Sequence, residues 1–248
     1  MEYKLKRDIV AGEIPYLKLD VAERKSDDRD ECVLLLHGMG GSKEHSIARM
    51  MRYADAGFRV FAMDLRRHGE RRNAVDWNDP AIASSLPLLT DAIVGSATDI
   101  TTLLDALHIE NCAIDGLSLG AIVGFAALPR ETRLAIAALS MGSPDWDDLM
   151  GNGTPAAGSA NPDLATMNPL YLSAHTVPTR PLLMQHGADD EIVRASGSRK
   201  LYELLNPYYR EIPDNLRLVI FDAVGHEYID AMWTNSLNWI SEHRNLLR

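Results

Sequence analysis

The sequence predicts an α/β domain built on a mostly parallel sheet with helices on both faces. Three observations lead there. Short apolar runs recur, each stopped by glycine or a polar turn, as in CVLLLHG (32–38) and CAIDG (112–116); such runs suit strands buried on both faces. Segments with apolar residues three and four apart lie between them, the spacing of an amphipathic helix. Strands alternating with helices form βαβ units, whose crossovers leave neighbouring strands parallel.

The elements follow in chain order. DIVAGEIPYLKLDV (8–21) offers two extended pieces joined near residues 12–15, an antiparallel edge, and SDDRDE (26–31) is a solvated turn. Residues 32–38 are the first buried strand. A helix over 46–57 carries Ile47, Met50, Met51 and Ala54 on one face and ends at Gly57. FRVFAMDL (58–65) is a strand, and 91–107 a helix with Ile93, Ala97, Ile100, Leu104 and Leu107 on one side. The strand at 112–116 leads to a helix over 119–128, stopped by Pro129. Strands are expected at 134–140, 180–187 and 216–222, with helices at 198–205 and 229–244. Residues 143–178 break this rhythm. They are rich in Gly, Pro, Asn and Ser and carry Trp146, Leu149, Met150, Met167 and Tyr171. A stretch this long without regular pattern inside a compact domain is usually functional. It is read as a small cap over the C-terminal strand ends, within a single domain over 1–248.

Totals narrow the function. The 248 residues suit one α/β domain, and 46% hydrophobic residues allow a sizeable core. A net charge of −10 argues against nucleic acid or an anionic membrane as partner, because phosphates need a basic footprint. Two cysteines, Cys32 and Cys112, exclude a disulfide-rich scaffold and a cysteine-based zinc site, and both read as reduced, buried thiols. The start lacks an apolar core of signal-peptide length, and no run of 18 apolar residues occurs. A cytoplasmic protein without a membrane span is expected.

The chemistry centres on GLSLG (116–120), a G-x-S-x-G pattern with a strand before it and a helix after it. A sharp strand-to-helix turn lifts the Ser118 hydroxyl above the sheet, and the backbone passes so close to its neighbours that glycine is needed two residues either side. A serine needs a base, and the base an orienting acid. After such a turn the acid comes next in the chain and the histidine last. Of eight histidines, His37, His45, His68 and His108 precede the serine, His175 lies in the irregular stretch, His186 precedes the acids, and His243 sits among charges in the last helix. His226, in FDAVGHEY after the last strand, is where the base belongs. The acid lies in HGADDEIV, after the strand at 180–187. Asp189 and Asp190 are both candidates by spacing, with Glu191 a weaker third. Two amides should hold an oxyanion: that of Leu119 after the serine, and that of Met39 in the Gly-rich HGMGGS loop (37–42). His37 reads as a buried histidine fixing that loop, and DLRRHGER (64–71) as an ion-paired structural loop.

Taken in order, HGMGGSKEH, DLRRHGER, GLSLG, HGADDEIV and GHEY resemble the α/β-hydrolase superfamily, and within it small bacterial carboxylesterases near the dienelactone hydrolase and acetyl esterase branches. The resemblance runs from about residue 14 to the end. It implies the α/β-hydrolase fold and a Ser118–Asp190–His226 triad, because the acid in the family's HG-x-x-D-x-x-V pattern falls on Asp190. Met39 and Leu119 take the family's oxyanion positions. One departure is Asp115, where the family has an apolar or small residue; a salt bridge is expected there. The implied activity is serine carboxylesterase on short-chain esters, acetyl to roughly hexanoyl, in a pocket walled by Met39, Met141 and Trp146. No cofactor or metal is implied. A small-molecule ester is the expected partner, and a homodimer is compatible with the chain. The alternatives are thioester, lactone, amide or C–C bond hydrolysis by the same triad, or a non-catalytic small-molecule-binding protein on this fold.

Overall fold

The computed structural model describes residues 2–21, 31–149, 168–171 and 179–248. Its frame is an eight-stranded sheet in the order β1-β2-β4-β3-β5-β6-β7-β8. The strands are β1 (Tyr3–Val10), β2 (Ile14–Val21), β3 (Cys32–Leu36), β4 (Arg59–Met63), β5 (Cys112–Leu117), β6 (Leu134–Ser140), β7 (Leu182–Gly187) and β8 (Leu216–Phe221). β2 runs antiparallel to both β1 and β4, and every pairing from β4 to β8 is parallel. The expected antiparallel edge is present as the β1–β2 hairpin.

Strand alternation builds two cores. Leu34, Leu36, Phe61, Met63, Ile114 and Leu139 face one side, where α4 (Ser96–Ala106), α5 (Leu119–Ala127) and α7 (Ser196–Leu205) supply Ile100, Val123, Phe125 and Leu201. Val33, Leu35, Val60 and Ala138 face the other, against Met50 and Tyr53 of α1 (Ile47–Asp55) and Trp239 and Ile240 of α8 (Asp230–Glu242). Each face of the sheet loses its apolar side chains to water only if its helix layer is removed. Every residue of α5 is buried, as expected of a helix that is apolar all round. Cys32 and Cys112 are both buried free thiols.

The differences from the sequence reading have local causes. β7 begins at Leu182 because Pro181 has no N–H to give the ladder; its carbonyl still accepts from Ala137, and Arg180 instead donates to the carbonyls of Leu128, Glu131 and Leu134. Two short helices, α2 (Pro80–Ala83) and α3 (Leu86–Thr90), occupy a stretch for which the sequence predicts no element. The helix expected at 91–107 opens with a π-turn over Asp91–Gly95 before α4. Arg66 explains the widening: it pairs with Asp91 and Asp99, and its side chain lies so close to Gly95 that a Cβ there would sit 2.4 Å from Arg66 Cδ. Most of the expected cap, with Met150, Met167 and His175, lies outside the described residues, as does most of the 26–31 turn. Within the cap, α6 (Trp146–Leu149) and residues 168–171 are described, and Leu170 is buried. No helix among the described residues is long and apolar enough to cross a membrane.

Candidate active site

The C-terminal ends of β3, β5, β6 and β7 and the loop after β8 converge on Ser118. That residue joins β5 to α5 with φ 51° and ψ −115°, a conformation few side chains adopt. Such strain costs on the order of 1–3 kcal/mol and persists only where neighbours hold it. Here Ser118 N–H donates to Ser140 at 2.8 Å, while its carbonyl accepts from Ala121 and Ile122 in the first turn of α5. The flanking glycines are required by contact. A Cβ on Gly116 would lie 2.6 Å from the Gly120 carbonyl oxygen, and one on Gly120 2.6 Å from that of Leu36.

The half-buried serine meets its expected partners. Ser118 Oγ is 2.9 Å from His226 Nε2, and His226 Nδ1 is 2.7 Å from Asp190 Oδ2. Asp190 Oδ1 accepts from the amides of Ile192 (3.0 Å) and Val193 (2.9 Å). That network assigns the Nδ1–H tautomer to His226, leaving Nε2 free to accept from the serine. Of the three candidate acids Asp190 is the one that meets His226, and it is 4% exposed, whereas Asp189 and Glu191 face solvent.

The Gly38–Gly41 turn brings Met39 beside this chain. Gly41 donates to Gly38 at 3.1 Å, and both Met39 and Leu119 border the same cavity as Ser118 and His226. His37 holds the base of the turn. Its Nδ1–H donates to the Gly38 carbonyl (2.8 Å) and its Nε2 accepts from Leu65 N–H (3.1 Å). Burial drives its pKa down to about 3, so it is a neutral strut. His186 is also turned away; its Nε2 meets the Gly142 carbonyl at 2.7 Å and Ser198 at 3.0 Å, and burial lowers its pKa. The 64–71 loop is ion-paired as expected: Asp64 binds Lys43 (2.8 Å), and Arg66 and Arg71 share Asp99.

A cavity of about 630 Å³ opens at Ser118. Its wall is mainly apolar: Met39, Leu89, Ile93, Ile122, Met141, Leu149, Ile192 and Val193, closed by Tyr228. Met141 stands in the wall as expected. Trp146 does not; it is 1% exposed within the core layer, and Leu149 forms that part of the wall instead. Its neighbours explain the inward position, since Trp146 N–H reaches Asn168 Oδ1 (3.4 Å) and ties α6 down against 168–171. Leu89 and Ile93 were missed as site residues because they belong to the short helix and π-turn described above. Ile192 and Val193 were legible in HGADDEIV, though only as flanks of the acid. Asp115 is ion-paired as expected, with Arg49 Nη1 at 3.2 Å and the Tyr53 hydroxyl at 3.0 Å.

A family model described as alpha/beta hydrolase matches residues 33–240. The chain belongs to the alpha/beta hydrolase family. Two relatives are named as esterases. YitV of Bacillus subtilis (strain 168), whose name carries that word, is 23% identical over 97% of this chain and 99% of its own length. Esterase YjfP of Escherichia coli (strain K12) is 28% identical over 73% of this chain and 76% of its own. Among solved structures, TT1662 from Thermus thermophilus superimposes with a TM-score of 0.76 at 24% identity, covering 98% of both chains. In this alpha/beta hydrolase, the serine turn, late histidine and buried acid therefore sit on a fold shared across the family.

Proposed function

We propose that the protein is a serine carboxylesterase acting on short-chain acyl esters. The hydrogen-bonded chain Ser118–His226–Asp190 is the observation that carries this reading. The esterase names of its two relatives support it.

In the proposed reaction His226 Nε2 takes the proton from Ser118 Oγ as that oxygen bonds to the ester carbonyl carbon. The carbonyl oxygen becomes an anion held by the Met39 and Leu119 amides, the latter aided by the N-terminus of α5. Collapse expels the alcohol, which leaves with the proton from His226 and gives an acyl-serine. Water, deprotonated by the same nitrogen, attacks the acyl carbon; the acid departs and Ser118 recovers its proton. Asp190 keeps the imidazole oriented and stabilises its cation.

The apolar wall suits an uncharged acyl chain. At about 630 Å³ the cavity exceeds what an acetyl group fills, so the optimum is expected toward the longer end of the acetyl-to-hexanoyl range. Leu149 in the wall supports a roofing role for residues 143–149, the described start of the expected cap, within one catalytic domain.

The test is hydrolysis of p-nitrophenyl esters of increasing acyl length by wild-type protein and folded Ser118→Ala. A wild-type optimum near butanoate to hexanoate is expected, with a loss on the order of 10⁴-fold or more in the variant. An optimum at long chains would contradict the chain-length reading. Turnover that survives Ser118→Ala would contradict the mechanism.

A further inference from the structure

Arg49 lies on α1, outside the cavity, and is only 5% exposed. Its Nη2 donates to the Leu36 carbonyl at 3.0 Å and to Ser46 Oγ at 3.3 Å. Its Nη1 pairs with Asp115 Oδ1, and its Cζ sits 5.7 Å from the centre of the Tyr228 ring. Ser46 precedes the same helix, and the other three partners each belong to a different arm of the site. Leu36 ends β3 and leads directly into the His37–Met39 turn. Asp115 sits in β5 just before Gly116, three residues from Ser118. Tyr228 follows His226 by two residues and closes the cavity. One guanidinium thus meets the amide turn, the serine turn and the histidine loop.

We propose that Arg49 is a positioning residue that fixes these three arms relative to one another. The inference rests on the serine esterase reading and names a determinant of that site. Stability alone is a poor reason for such a pair. Burying two charges costs several kcal/mol each, and apolar replacements of similar volume are often neutral or better. Geometry is what an apolar residue cannot supply. The planar guanidinium presents five donors in a fixed fork, so it can hold a carbonyl and a carboxylate at once; a lysine ammonium cannot span both. Burial opposes the charge on Arg49, but the Asp115 carboxylate and the Tyr228 and Tyr53 hydroxyls outweigh it and hold its pKa above the ordinary value. The expected kinetic signature is specific. Misplacing the amide turn against the serine by about 1 Å costs about 100-fold in turnover, while ground-state binding in the apolar cavity is left alone.

The test compares wild type, Arg49→Met, Arg49→Lys and Tyr53→Phe, each checked by its thermal midpoint, in p-nitrophenyl ester turnover and fluorophosphonate labelling. Arg49→Met is expected to lose about 100-fold in kcat and in the maximal labelling rate, with KM within about threefold. Arg49→Lys keeps a charge beside Asp115 but releases the Leu36 carbonyl, and should lose about tenfold in kcat. Tyr53→Phe breaks one hydrogen bond to Asp115 yet leaves the bridge, and should stay within about threefold. A folded Arg49→Met with kcat within threefold of wild type would overturn the proposal, as would a Tyr53→Phe as impaired as Arg49→Met. If Arg49→Met does not fold, Arg49→Lys decides by the same threefold limit. Failure of the esterase reading looks different: wild type itself is then unlabelled.

Discussion

Two charged loops leave the C-terminal ends of parallel strands, and their charges are held in opposite ways. In 64–71, after β4, charge meets charge. Asp64 and Lys43 are both fully buried and bonded at 2.8 Å, and Asp99 takes Arg66 at 2.8 Å and Arg71 at 2.7 Å. In 187–193, after β7, the buried carboxylate of Asp190 pairs with no Lys or Arg among the described residues. It accepts two amides on one oxygen and an imidazole on the other. A carboxylate matched by a permanent cation is spent on structure. One held by amides and facing an imidazole keeps its charge available for a cation formed during reaction.

The sharpest break of this comparison is a matched pair of substitutions. Asp190→Asn should lower kcat by about ten-thousand-fold with little change in thermal midpoint. Asp64→Asn should do the reverse. It removes one of three carboxylates around Lys43, leaving Glu44 and Glu70 on its ammonium, so stability should fall by on the order of 2 kcal/mol while turnover per folded molecule stays near wild type. Chemical denaturation and active-site titration separate the two. An Asp64→Asn protein that is stable but inactive would reverse the assignment of the loops.

A smaller effect sharpens the scaffold side. The pKa of His37 is lowered to about 3 by burial, and those of His68 and His186 are also lowered, chiefly by burial. All three have an ordinary value of 6.5 when unfolded. Below pH 6.5 the unfolded chain takes up protons that the folded chain refuses, so stability falls as pH drops and, for His37, continues to fall toward pH 3. Above 6.5 both states are neutral and the contribution is flat. His37 alone should cost about 2 kcal/mol between pH 6.5 and 5. Urea midpoints at pH 5 and 7.5 check the sign; an equal or higher midpoint at pH 5 would contradict it.

The parts of the molecule that were legible in its sequence share a physical reason. β6 was legible to the residue because a fully apolar run between polar turns has one arrangement. Ser118 and His226 could be located because each follows the end of a strand in the order the motif requires; spacing left Asp189 and Asp190 both open, and only the family resemblance pointed to Asp190. The cavity wall was harder to read. Ala83, Leu89 and Ile93 reach it from α2 and α3, which are too short to show a periodic pattern, and from the π-turn, which meets Arg66 from another part of the chain. Trp146 was misplaced because composition cannot tell a wall residue from a core residue in a segment lacking a repeat. Arg49 went unremarked because Leu36, Asp115 and Tyr228 lie far apart in the chain, on β3, on β5 and in the loop after β8.

The most direct test of the central claim is intact-mass and peptide analysis after fluorophosphonate treatment. A single phosphonyl adduct on Ser118 is expected in wild type, strongly slowed in Asp190→Asn and unchanged in rate in folded Asp64→Asn. A folded wild-type protein that takes no adduct at Ser118 would contradict the account.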